Sequence, residues 1–215
     1  MPTARESLLD AAERALGRLP WTRIRMVDVA AVAGVSRQTL YNEFGSKEGL
    51  GRALLRREAD TCLAGAERVL AGPGPPEERL AALAEWMVTA ARRPLARALL
   101  TGLWPPRLPA PVRTAMPSAA VAPAQRRADQ PLPTPAELAT AMRDLALTAT
   151  CPPDTAPRTR AAWSHRCEIT VRLALSCLLV PPGPAGPAAL VARGTGLRRT
   201  GPSGPSPRAG GRRRR

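Results

Sequence analysis

The stretch DVAAVAGVSRQTLYNEFGSKEGL, residues 28–50, decides how the rest of the chain is read. Val29, Ala30 and Ala33 recur at helical spacing, Gly34 interrupts the pattern, and Ser36 restarts it at once. Glycine takes the left-handed backbone at a helix C-terminus without a Cβ penalty, and serine is among the best N-caps. The spacing therefore predicts a short helix over 26–33, a turn at Gly34 and Val35, and a second short helix over 37–44 closed by Gly45. Ser46 then caps a longer helix whose Leu50, Leu54, Leu55 and Ala59 form one apolar stripe.

Two helices joined this tightly meet at a fixed angle. Ala30 and Ala33 are small enough for the axes to approach, Val35 anchors the second helix, and Val29, Leu40 and Phe44 turn inward as core. Arg37, Gln38, Thr39 and Asn42 project outward near the N-terminus of the second helix, where such side chains read base edges in a major groove or hold phosphates. The Tyr41 hydroxyl lies within reach of a backbone phosphate. Lys47, the sole lysine among the 215 residues, stands at the start of the next helix, where unpaired N–H groups also attract phosphate. The stretch reads as a DNA-binding helix-turn-helix.

Working outward, the pattern stays helical. Thr3 and Glu6 have capping-box spacing, Leu8, Ala12, Ala15, Leu16 and Leu19 make a stripe, and Pro20 ends it. The run AGPGPP at 71–76 is a turn. Helices are predicted over 77–93, over 95–104 with Pro94 opening it, over 136–149 and over 158–180, the last carrying Glu168 and Arg172 as an i,i+4 pair. Residues 105–135 are proline-dense and predicted to be loop. With no convincing strand and no internal repeat, the fold class is all-α.

Composition narrows the function. Net charge is +15, yet residues 1–60 hold ten basic and eight acidic side chains, while residues 193–215 hold eight arginines and no acid. That Gly/Pro/Ser/Arg segment lacks the apolar surface to fold and is predicted to be a disordered tail over 188–215. Cys62, Cys151, Cys167 and Cys177 show no C-x-x-C spacing, and His165 is the only histidine, so no metal and no cofactor are expected. With no G-x-S-x-G, no phosphate loop and no metal cluster, an enzyme is not expected. No apolar run of 18 residues and no secretory signal appear, which predicts a cytoplasmic protein without a membrane partner, on the nucleoid when bound to DNA.

The run VAAVAGVSRQTLYNEFGSKEGL resembles the signature of the tetracycline-repressor (TetR) family of bacterial regulators. The agreement lies in AGVS, in Leu40-Tyr41, in Phe44, and in Ser46-Lys47-Glu48 with Leu50; it extends over about residues 4–60, Trp21 included. The resemblance implies an all-α homodimer. Its three-helix domain binds an operator in double-stranded DNA, and a larger helical domain binds a small effector that releases the operator. By position it makes Arg37, Gln38, Thr39 and Asn42 the recognition residues and Tyr41 and Lys47 the phosphate contacts.

Two departures stand out. Similar sequences place Thr or Ser before the second helix where this chain has Arg25-Met26; Arg25 is assigned to phosphate instead, with a weaker cap. The family's two long C-terminal dimer helices are also hard to place. One is 158–180, but only the short 187–197 follows it, leaving 136–149 as the other candidate. The domains expected are 1–60, continuing into a linking helix at about 46–70, then 77–187, then the tail. An unidentified effector would meet Trp86, Met87, Leu100, Leu103, Trp104, Met142 and Trp163, with His165 and Glu168 as the candidate polar anchors. The expected function is an effector-responsive repressor on a pseudo-palindromic operator. The competing reading is a nonspecific, charge-driven nucleic-acid binder relying on the arginine tail.

Overall fold

The computed structural model describes residues 2–111 and 132–196, and among these the only regular structure is helical. In chain order the helices are α1 (Ala4–Leu16), α2 (Met26–Ala33), α3 (Arg37–Phe44), α4 (Lys47–Leu70), α5 (Pro76–Ala90), α6 (Pro94–Thr101), α7 (Pro135–Thr150), α8 (Pro157–Leu179) and α9 (Gly186–Gly194). One 3₁₀ turn, Trp21–Arg23, lies between α1 and α2.

Helix starts follow local chemistry. Thr3 and Glu6 form the predicted capping box, and Thr134 and Glu137 form a second one at α7. Ser36 caps α3 and Ser46 caps α4 through their hydroxyls. Proline occupies one of the first two positions in each of α5 through α9, where its missing N–H costs nothing. The abundant prolines therefore punctuate the helical array rather than dissolve it.

Two apolar cores share α4, which at 24 residues is about 36 Å long. The first gathers Leu8, Ala12, Val29, Leu40, Phe44, Leu50 and Leu54, joined by Leu95, Ala98 and Leu108 from and beyond α6. The second packs Cys62, Ala66 and Leu70 of α4 against Leu80, Met87, Met142, Cys167, Val171 and Val191. Ala59, Leu99 and Leu138 fill the junction.

Sequence expectation and structure part in three places. Residues 186–194, assigned largely to the tail, form α9 on α5 and α8. Their glycine and alanine composition looked too weak to fold, but small residues permit close approach. A Cβ at Gly194 would sit 2.7 Å from Leu173 Cδ1, Val191 is 1% exposed, and the Ala188 N–H donates to Glu85 at 3.1 Å. The arginine run itself, residues 198–215, lies outside the described residues. Second, α6 stops at Thr101 because Gly102 takes φ 73°, so Leu103 and Trp104 leave the helix predicted over 95–104. Third, a 3₁₀ turn forms at Trp21–Arg23, where the sequence pattern marks only the stop at Pro20. Of the proline-dense loop, residues 112–131 are outside the described residues, and 102–111 run as irregular chain.

Candidate nucleic-acid interface

The helix-turn-helix is built by α2 and α3 across Gly34, whose φ of 70° is the left-handed conformation its position demands. The Val35 N–H reaches back to the Ala30 carbonyl at 3.1 Å, closing the turn. Val29, Ala30, Leu40 and Phe44 are buried together, while Ala33 and Val35 pack at the rim of the same core. Gly45, with φ 70°, ends α3 and lets Ser46 start α4 at once. Gly49 then crosses α3's last carbonyl so closely that a Cβ there would overlap the Phe44 oxygen.

This packing leaves one polar face on α3. Arg37, Gln38 and Asn42 are exposed, and Thr39 and Tyr41 are half-buried. The Gln38 amide donates to the Asn42 Oδ1 at 2.9 Å, which aligns the two amides along the helix. The Arg37 guanidinium lies 5.4 Å from the centre of the Tyr41 ring. Thr39 is drawn into the cap: its N–H donates to Ser36 Oγ at 2.9 Å and its hydroxyl pairs with the same oxygen at 2.8 Å.

Lys47 extends from the start of α4 to the 3₁₀ turn, where its Nζ donates to the Thr22 carbonyl at 3.3 Å and lies 5.3 Å from the Trp21 ring centre. Arg25 caps α2 with its backbone alone. Its guanidinium instead makes two bonds to Asp28, at 2.8 and 3.0 Å. That pairing holds the Asp28 carboxyl below its ordinary range. The geometry joins Arg37 to Tyr41 and Gln38 to Asn42 along α3, sets Lys47 against the Trp21–Arg23 turn, and engages Arg25 with an acid of its own helix.

A contact that sequence reading missed supports α3 from behind. Arg5 of α1 donates to the Glu43 carbonyl at 3.3 Å, pairs with the Glu43 carboxylate at 3.5 Å, and sits 4.7 Å from the Phe44 ring centre. A cation against the C-terminal end of α3 suits that end's partial negative charge. The cap and the apolar face of α1 are legible in the sequence, but this contact is not, since Arg5 lies 38 residues from its partner.

The residues proposed for an effector pocket divide. Met87 and Met142 are buried in the second core, with Leu100, and Trp86 and Trp163 pack on its edge. Trp86 lies over the bare backbone of Gly65. Trp104 packs on the first core and the junction instead, and Leu103 is 59% exposed. His165 is exposed, and Glu168 is paired with Arg172 and Arg143.

At the junction of the two cores stands one buried acid. Glu58 of α4 is 5% exposed and meets Arg93, at the α5–α6 turn, at 3.0 Å. Burial pushes its carboxyl above the ordinary range, and the Arg93 charge partly offsets that. Beside it the Cys62 thiol is pushed up to about 12, mainly by burial and then by the Glu58 charge. All four cysteines are buried and free. Among the described residues, no group of three or more His, Cys, Asp or Glu side chains is placed to hold a metal, and no helix is long and apolar enough to cross a membrane.

A polar helix displayed across a glycine turn, with a cation at the start of the next helix, has the form of a helix-turn-helix DNA-binding domain. Comparison with known proteins agrees. The family model for bacterial regulatory proteins of the tetR family matches residues 8–54. The HTH-type transcriptional regulator AlkX of Mycobacterium tuberculosis is 40% identical over 106 residues, which span 48% of this chain and about half (50%) of that protein. Two solved structures share the fold. A tetR-family regulator from Streptomyces coelicolor superposes with a TM-score of 0.51 at 18% identity, over 91% of this chain and 79% of that one. A TetR/AcrR-family regulator from Thermobifida fusca gives 0.52 at 19% identity, over 90% and 94%. Over residues 8–54, the helix-turn-helix segment, the chain is similar to the tetR family of bacterial regulatory proteins.

Proposed function

We propose that this regulator is a repressor that binds a pseudo-palindromic operator as a homodimer and leaves it when a small effector binds. The observation that carries the reading is the face of α3. Arg37, Gln38 and Asn42 stand clear of the core on a helix whose opposite side is fixed by Leu40 and Phe44. Arginine suits guanine and the paired amides suit adenine in a major groove. An eight-residue helix reads few base pairs, which favours two copies on half-sites one DNA turn apart. Tyr41 and Lys47 serve the phosphates. Arg25 contributes charge at the rim of the motif, although Asp28 already holds it.

For the effector we assign the second core, where Trp86, Met87, Met142 and Trp163 gather from α5, α7 and α8. That environment favours an apolar ligand, whose entry requires the packed side chains to part. Leu103 and Trp104 stand apart from it.

The test is a binding selection on random double-stranded DNA, read by sequencing, with the full chain and with a variant ending after residue 196. Recovery of one inverted repeat by both supports the reading. Loss of all binding with the arginine segment, and no recovered motif, would replace it with nonspecific, charge-driven binding. On a recovered operator, Arg37→Ala and Gln38→Ala should each relax specificity at particular bases by about 1–3 kcal/mol, whereas Tyr41→Phe should weaken all sequences alike.

A further inference from the structure

The irregular chain after α6 does not simply leave the molecule. The Arg107 carbonyl accepts the Trp21 N–H at 2.8 Å. Leu108 is buried in the first core, and Trp104 packs on that core and on the junction. Gly51 of α4 is the floor of this contact: a Cβ there would stand 3.0 Å from Pro109 Cβ and 3.1 Å from Trp21 Cζ2. The Trp21 ring is therefore seated on α4 with residues 107–109 strapped beside it. Its other neighbour is Lys47, whose ammonium lies 5.3 Å from the ring centre while it bonds the adjacent Thr22 carbonyl.

We propose that Trp21 is a positioning residue for DNA binding: it holds the Lys47 ammonium in place, and the segment after α6 holds Trp21. The inference rests on the assignment of Lys47 to a phosphate. An aromatic face attracts an ammonium electrostatically, and the Thr22 carbonyl adds a second fixed point. Lysine otherwise carries a floppy four-carbon stem, so restricting it in advance removes an ordering cost at the moment of contact. The path also runs back into the second half of the chain. On α6, Leu95 and Ala98 face the first core while Arg97 donates to the Leu178 carbonyl of α8 at 2.5 Å. A shift of α6 against α8 thus has a continuous packed route, through residues 104–109 and Trp21, to the DNA-facing lysine. The contacts that seat Trp21 run to Gly51, Lys47 and residues 107–109, none of them on the exposed face of α3, so this route acts on affinity for any duplex rather than on base preference.

The experiment uses the full chain and a fluorescein-labelled random-sequence duplex, with affinity measured from 50 to 200 mM salt for the parent, Lys47→Ala, Trp21→Leu, Trp21→Phe and Lys47→Ala/Trp21→Leu. Loss of one phosphate contact lowers the log–log salt slope by about 0.9, so the variant's affinity falls about 3.5-fold less than the parent's across that range. Lys47→Ala and Trp21→Leu should both show this lowered slope. Trp21→Phe, which keeps an aromatic face, should recover most of it, and the double variant should match Lys47→Ala within about twofold. Thermal melts of each variant separate a lost contact from a lost fold. Trp21→Leu that melts like the parent and keeps the parent slope, or that weakens binding equally with and without Lys47, overturns the inference alone. A parent-like slope in Lys47→Ala removes the phosphate assignment, and the inference falls with it.

Discussion

Arg93→Met tests the junction between the two cores. The substitution keeps the apolar part of the side chain and removes the charge that faces Glu58 at 3.0 Å. Arg93 itself is 41% exposed and gives up little water to make the pair, so the cost falls on the 5% exposed carboxylate. Removing one partner of a buried pair typically costs about 3–5 kcal/mol. Here protonation sets a ceiling. Holding a carboxyl of ordinary value 4.5 in its neutral form costs about 1.36 kcal/mol per pH unit, hence at most about 3.4 kcal/mol at pH 7 and about 0.7 at pH 5. Part of that penalty already exists in the parent, because burial holds the Glu58 value above 4.5. The variant should therefore lose about 2–3 kcal/mol at pH 7 and less than about 1 at pH 5.

The sign is fixed by linkage. With its folded value raised, Glu58 contributes its full stability below pH 4.5 and loses it as pH rises through the folded value. Loss of Arg93 raises that value further, so the gap between parent and variant opens as pH rises through the parent's folded value, which already lies above 4.5. The neighbouring groups are Glu13 and Arg57, opposite in effect, and the Cys62 thiol, which stays protonated throughout this range. Urea denaturation of both proteins at pH 5 and pH 7 provides the measurement, with Glu58→Gln/Arg93→Met as the control that should show no growth of the gap. Equal destabilisation at the two pH values would refute the ionic origin of the contact.

Three further outcomes are expected. Ser36→Ala removes the oxygen that accepts the Thr39 N–H and should cost about 1 kcal/mol in urea denaturation; an unchanged midpoint would mean that the Ser36 hydroxyl contributes nothing. Gly65→Ala places a Cβ 2.2 Å from Trp86 Cζ2, so the ring must move, and overpacking of this kind should cost about 1–3 kcal/mol in thermal melts, with an unchanged melt arguing against the close approach. The thiols should resist an aromatic disulfide reagent at pH 8 until the chain unfolds, since all four are buried and Cys62 is held at about 12; rapid labelling of Cys62 in the folded protein would contradict its placement.

The sequence was most legible where a few neighbouring residues settle the backbone. Helices over 26–33 and 37–44 end where Gly34 and Gly45 permit positive φ, and the second begins where Ser36 supplies a cap, all decided within the twelve residues 34–45. The all-helical class and the outward face of α3 followed from the same local pattern. What stayed hidden depends on partners far along the chain. The Arg5–Glu43 and Glu58–Arg93 pairs join side chains that look like ordinary surface charges in isolation. The segment 186–194 reads as tail until Glu85 and Leu173 are brought against it. Trp21 fitted the family pattern, but nothing local indicated that Arg107 and Pro109 would return to it. Arg25 was assigned to phosphate from its position, and the acid one turn later claims its guanidinium.

The solitary lysine has a practical consequence. Every other basic side chain outside His165 is arginine, so amine-directed reagents meet one side chain in the sequence, apart from the terminal amine. That side chain stands at the start of α4, beside the turn that carries Trp21. Acylation followed by mass spectrometry then becomes a footprint of a single atom, Nζ of Lys47. Its labelling rate, with and without duplex, tests the proposed phosphate role of Lys47 without any engineered tag or mutation.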